Sequence, residues 1–74
     1  MKVELFQELA NRWPSPIVAR HEVSRFSGGA IHPRTLANLD SRGEGPRGRF
    51  RIGRKVCYPT VALIEWMKAR AEAV

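Results

Sequence analysis

The sequence predicts a mainly α domain with one small β-hairpin. Two observations carry this. Helical spacing of apolar residues recurs on both sides of a stretch at Arg49–Tyr58 that alternates polar and apolar with period two. Turn residues fall between these stretches: Pro14-Ser15-Pro16, Gly28-Gly29, Gly43 to Pro46 and Gly53-Arg54. With 74 residues the chain makes one domain, residues 1–74, around one modest core.

The first helix is expected over about residues 2–13. Leu5, Leu9 and Trp13 recur at four-residue intervals, with Phe6 and Ala10 beside them and Glu4, Gln7, Glu8, Asn11 and Arg12 on the other face. Pro14-Ser15-Pro16 ends it, because proline disfavours helical geometry in the residue before it. Ile17-Val18 reads as a short apolar link, with extended backbone as one option. A second helix is expected at about residues 19–27, with Val23 and Phe26 turned inward and Arg20 and Arg25 outside. Gly28-Gly29 stops it and allows a sharp change of direction.

The third helix is expected from His32 to Arg42. Pro33 suits the first helical position, where a missing N–H costs nothing, and His32 is then the cap. Leu36 and Leu39 face the core, and Arg34, Asn38 and Arg42 lie along another face. Gly43 suits the C-terminal cap. A hairpin is expected over residues 49–58, turning at Gly53-Arg54. Its expected inner face is Phe50, Ile52, Val56 and Tyr58, and its outer face Arg49, Arg51, Lys55 and Cys57. The closing helix is expected over about residues 60–73, with Val61, Leu63, Ile64, Trp66, Met67 and Ala71 as its apolar residues.

Charge sets the class of partner. Thirteen Lys and Arg against seven Asp and Glu give a net charge of +6. Such an excess favours polyanions. Ten of the thirteen are Arg, whose planar fork of donors suits phosphate oxygens and guanine edges. The charge is concentrated: Arg12 to Lys55 holds ten basic and three acidic residues, whereas the two ends together come to −1. Solubility alone does not predict that distribution.

Other chemistries find little support. Ligand pockets take roughly 300–1,000 Å³ of a larger scaffold, so the size argues against an enzyme and against a small-molecule ligand. Cys57 is the single cysteine and His21 and His32 are the two histidines. Their spacing matches no metal-ligand pattern, so no metal or other cofactor is expected. Gly28-Gly29 does not follow a strand as a phosphate loop requires. No apolar run approaches the ~20 residues of a membrane span, and the cytoplasm is the expected location.

Double-stranded DNA is the expected partner. A major groove about 12 Å wide admits one helix. Arg34 and Asn38 stand one turn apart; arginine can read guanine O6 and N7, and asparagine adenine N6 and N7. His32, Thr35, Ser41 and Arg42 complete the expected recognition helix, with Arg42 at its end suited to phosphate. The hairpin supplies Arg47, Arg49, Arg51, Arg54 and Lys55 within nine residues and no acid among them. Arg54, at the tip, suits the enhanced negative potential of a narrow minor groove. Arg20 and Arg25 are expected on the DNA backbone.

The run from Ile17 to Met67 resembles the excisionase-like and MerR-like winged helix-turn-helix family. The matching pieces are Glu22-Val23-Ser24 in the first helix of the motif and His32-Pro33-Arg34-Thr35-Leu36 opening the recognition helix. Gly43-Glu44-Gly45-Pro46 follows, then the wing Gly53-Arg54-Lys55-Val56-Cys57-Tyr58-Pro59 and the late Trp66-Met67. The chain departs from the pattern in a longer turn at Ser27–Ala30, in a longer loop or first strand of the wing, in His32 where the family has Ser, in Ala62 where an acid is common, and in the additional N-terminal helix. The resemblance implies a winged helix-turn-helix with the recognition helix in the major groove and the wing in the adjacent minor groove. It further implies a recombination directionality factor of a phage or mobile element, with an integrase or recombinase and further copies of itself on DNA as protein partners. A prophage-type transcriptional regulator is the alternative. From another class, a protein-interaction module would meet an acidic partner such as an integrase through the basic face.

Overall fold

The computed structural model describes residues 3–74. Helix α1 spans Val3–Arg12, and the expected start at Lys2 lies outside the described residues. Glu4 in its first turn and Arg12 in its last suit the helix dipole. The helix buries Phe6 against α4 (Thr60–Arg70), leaving Leu5 65% exposed. Trp13 follows, its ring edge-on to Phe26 at 5.1 Å and its indole N–H donating to the Ile17 carbonyl at 3.0 Å.

The link at Ile17-Val18 takes the extended option and, with Ala19, forms a strand, β1 (Ile17–Ala19). It pairs antiparallel with β3 (Lys55–Pro59), which pairs in turn with β2 (Phe50–Ile52), giving the order β1-β3-β2. The hairpin is thus two-thirds of a three-stranded antiparallel sheet. Because Ala19 is opposite Cys57 in that sheet, the second helix cannot begin there as expected. A 3₁₀ turn over Arg20–Glu22 leads instead into the short helix α2, Val23–Phe26, which buries Val23 and Phe26 as anticipated.

Helix α3 spans Pro33–Ser41. The His32 Nδ1 accepts the Arg34 backbone N–H at 3.1 Å, so the imidazole caps the helix in place of the usual hydroxyl or carboxylate. At the other end Gly43 N–H donates to Asp40 O and Glu44 N–H to Leu39 O, at 3.0 and 2.9 Å. This Schellman motif needs the left-handed backbone that Gly43 adopts, φ 73°.

The hairpin's faces differ from expectation. A two-residue turn pairs the residue before it with the residue after it, so Ile52 stands opposite Lys55, Arg51 opposite Val56 and Phe50 opposite Cys57. Cross-strand partners share a face. Val56 and Tyr58 therefore face the core with Val18 and Arg51, whereas Phe50 and Ile52 lie on the opposite face with Cys57 and Lys55. Ile52 is 58% exposed, and Cys57, expected outside, is buried.

The core joins Phe6, Val18, Val23, Phe26, Leu36, Tyr58, Leu63 and Ile64. Thr60 locks α4 to the chain before β1, its N–H on Pro16 O and its hydroxyl on Ser15 O, both at 2.8 Å. Helix α4 ends at Arg70, short of the expected residue 73. The backbone is extended at Ala71, and Glu72, Ala73 and Val74 are exposed with nothing to pack on. Four α-helices on one antiparallel sheet make this a small α+β domain. Among the described residues no helix is long and apolar enough to cross a membrane.

Candidate nucleic-acid interface

The core-facing side of α3 carries Leu36, Leu39 and Asp40, all buried. The remaining arc displays Arg34, Thr35, Asn38 and Ser41, with Arg42 at the cap, all exposed. The structure thus brings the expected recognition residues onto one edge. They differ in freedom. Arg34 has no acidic partner among the described residues, whereas Arg42 lies 3.7 Å from Glu44. The Ser41 hydroxyl donates to the Asn38 carbonyl at 2.8 Å, leaving it only acceptor capacity. The His32 Nδ1 is committed to the cap, which leaves Nε2 as the outward nitrogen.

The hairpin adds Arg47, Arg51, Arg54 and Lys55. All are exposed, and none is within ion-pairing distance of a carboxylate among the described residues. Arg49 differs: its Nη1 lies 3.9 Å from Asp40 Oδ1. The face assignment moves Arg51 to the core-side face of β2, where the edge position keeps its side chain exposed.

Two expected backbone contacts fare differently. Arg25 is exposed but pairs with Glu22 and stacks over the Trp13 ring at 5.0 Å. That pairing holds the Glu22 carboxyl below its usual range. Arg20, expected outside, is turned inward. It donates from Nε to the Tyr58 hydroxyl at 2.9 Å and from Nη2 to Asp40 Oδ2 at 2.7 Å. Its side chain is only 25% exposed, because a buried carboxylate demands a counter-charge and Arg20 supplies it. Arg20 is therefore withdrawn from the set of surface cations.

Asp40 and Tyr58 are the neighbours of this candidate surface whose pairing the sequence did not reveal. The Tyr58 hydroxyl donates to Asp40 Oδ2 at 2.5 Å. Burial, then this bond, pushes the phenol up to about 12 against the opposing bond from Arg20. For Arg20 burial works against the charge, but the bonds to Tyr58 and Asp40 prevail and raise it. A signal was present: Asp40 stands one turn after Leu36 on the inward side of α3, where an acid needs partners.

An open groove of about 1180 Å³ runs between α1, the α2–α3 connection, the first turn of α3 and α4, and His32 and Thr35 of the expected recognition set stand on its wall. It is larger than the chain's size led us to expect. Leu5, Leu9, Trp13, Ile31 and Met67 line it. Among the described residues no three His, Cys, Asp or Glu side chains gather as a metal site would require. No protein-family model matches the chain, and no curated protein shows significant similarity to it.

Proposed function

We propose that this chain is a winged helix-turn-helix protein that binds double-stranded DNA sequence-specifically, without catalysis. Helix α3 is the recognition helix and the β2–β3 hairpin the wing. One observation carries the reading: the exposed edge of α3 and the adjoining hairpin together present Arg34, Arg47, Arg51, Arg54 and Lys55 with no acidic partner among the described residues. Unpaired surface cations of this density repel one another and gain most from a polyanion. Arg34 and Asn38 suit base edges, Thr35 and Arg42 suit phosphates, and the hairpin cations suit the backbone and minor groove.

Within that reading the role is an excisionase-like recombination directionality factor, acting with an integrase or recombinase and with further copies on the same DNA. Selection of duplexes from a random pool tests it. Enrichment of a motif in direct repeats supports the excisionase role, and an isolated site supports a prophage-type regulator. Failure to enrich any sequence removes specific recognition. Stronger binding to single-stranded DNA or RNA than to duplex overturns the choice of partner.

The open groove and the 65% exposed Leu5 favour a second reading, a protein-interaction module. Both tryptophans are half-buried and donate their N–H to backbone carbonyls, Trp13 to Ile17 and Trp66 to Glu44, as expected of structural roles. Retained duplex binding in a Leu5→Asp variant separates the α1 side of the groove from the DNA surface.

A further inference from the structure

We infer that Asp40 is the positioning residue of the proposed DNA surface: it holds Arg49 so that one guanidinium bridges the Asp40 carboxylate and a DNA phosphate. The inference rests on the DNA-binding reading above.

The carboxylate is asymmetric. Its side chain is 3% exposed. Oδ2 accepts from both Tyr58 and Arg20. Oδ1 is buried and accepts no hydrogen bond. A buried acceptor left unsatisfied costs about 1–3 kcal/mol, so a donor brought to it is strongly retained. Arg49 is the cation that approaches Oδ1, at 3.9 Å and just outside hydrogen-bond reach. No side chain at residue 45 can take that place, because a methyl group on Gly45 would lie 1.8 Å from Oδ1.

Charge and geometry then favour a bridge. Arg20 already balances the Asp40 charge, so the Arg49 charge is left over for phosphate. A guanidinium carries five donors in one plane and can serve two acceptors by different edges. The Arg49 side chain is 47% exposed, one part toward the carboxylate and the rest toward solvent. Asp40 belongs to α3 and Arg49 immediately precedes β2, so the contact lies at the seam between the two proposed reading elements. A guanidinium held there in the unbound protein loses less conformational entropy on binding.

A double-mutant cycle tests this, with duplex affinity and its salt slope measured on the full chain, using a duplex that the wild type binds. Asp40→Asn lowers affinity about tenfold in the wild type, the coupling expected of close charged neighbours. In an Arg49→Gln background the same change has less than about a twofold effect. Asp40→Asn leaves the salt slope intact, whereas Arg49→Gln reduces it by about 0.9. Equal losses in the two backgrounds mean that Asp40 only supports the fold, and overturn the inference. If Asp40→Asn does not fold, Arg49→Lys decides. A lysine keeps the phosphate charge but not the two-edged bridge, so the slope persists while affinity drops about tenfold; wild-type affinity overturns the bridge. A wild type that binds no duplex overturns the DNA reading itself, an outcome distinct from an additive cycle.

Discussion

The cations that α3 and the hairpin leave unpaired set a number that solution measurement can reach. Among the described residues Arg34, Arg47, Arg51, Arg54 and Lys55 have no carboxylate partner, whereas Arg12, Arg20, Arg25, Arg42, Arg49 and Lys68 each lie within 4.0 Å of one. With Arg34 assigned to base edges, Arg47, Arg51, Arg54 and Lys55 are free to neutralise phosphate, and Arg49 joins them through the proposed bridge without leaving Asp40. Each phosphate neutralised contributes about −0.9 to the slope of log K against log salt. Five give a slope near −4.5, so raising salt from about 50 to 200 mM weakens binding about 500-fold. Fluorescence anisotropy of a labelled duplex across that range measures it. Arg51→Gln should then lower the slope by about 0.9 while leaving the ranking of sequences unchanged. Arg34→Ala should relax the ranking. A wild-type slope shallower than about −2 refutes the assignment of these cations to phosphate, and identical behaviour of the two variants refutes the division between helix and hairpin.

Further expectations concern stability. Tyr58 is the sole tyrosine, so phenolate absorbance follows its titration alone. Its pKa is raised from 10.0 to about 12. The stability this contributes is fully present below the unfolded value and is lost as pH rises toward about 12, a decline of about 2–3 kcal/mol. Denaturant melts across alkaline pH measure the loss, and a Tyr58→Phe protein with the same steepness there contradicts the assignment. Leu36→Ala, at a fully buried core position, should cost about 2–5 kcal/mol by chemical denaturation; a cost under about 1 would mean that the site collapses around the gap. Gly45→Ala drives a methyl against Asp40 and should cost about 1–3 kcal/mol, which a thermal melt reads. Ile52→Ser, at an exposed site, should change stability by no more than about 0.5 kcal/mol, whereas an inward Ile52 would lose several times that.

What was legible in the sequence divides along physical lines. Helix α3 was readable because its signals are local: Pro33 after a capping residue, Leu36 and Leu39 on one side, Gly43 at the end. The hairpin was readable from alternation around Gly53-Arg54. Which way it faced was not, since alternation alone leaves the relative parity of two strands open until the turn pairs Ile52 with Lys55. The extended backbone of β1 was one option at Ile17-Val18, but its pairing was not legible because its partner is far off in sequence, Ile17 against Pro59, and three residues carry no periodicity of their own. The same distance hid Arg20. Nothing in its neighbours shows that Asp40 and Tyr58 fold around it and turn a surface cation into part of the interior.

The burial of Cys57 gives the sheet its own clock. Cys57 is the only thiol in the chain and is 4% exposed. It occupies the central strand, with Ala19 on one side and Phe50 on the other. An alkylating reagent reaches it only when the structure around the central strand opens, locally or as a whole. The labelling rate therefore measures how often that opening occurs. Anything that grips the hairpin must slow that rate in proportion to how tightly it is held.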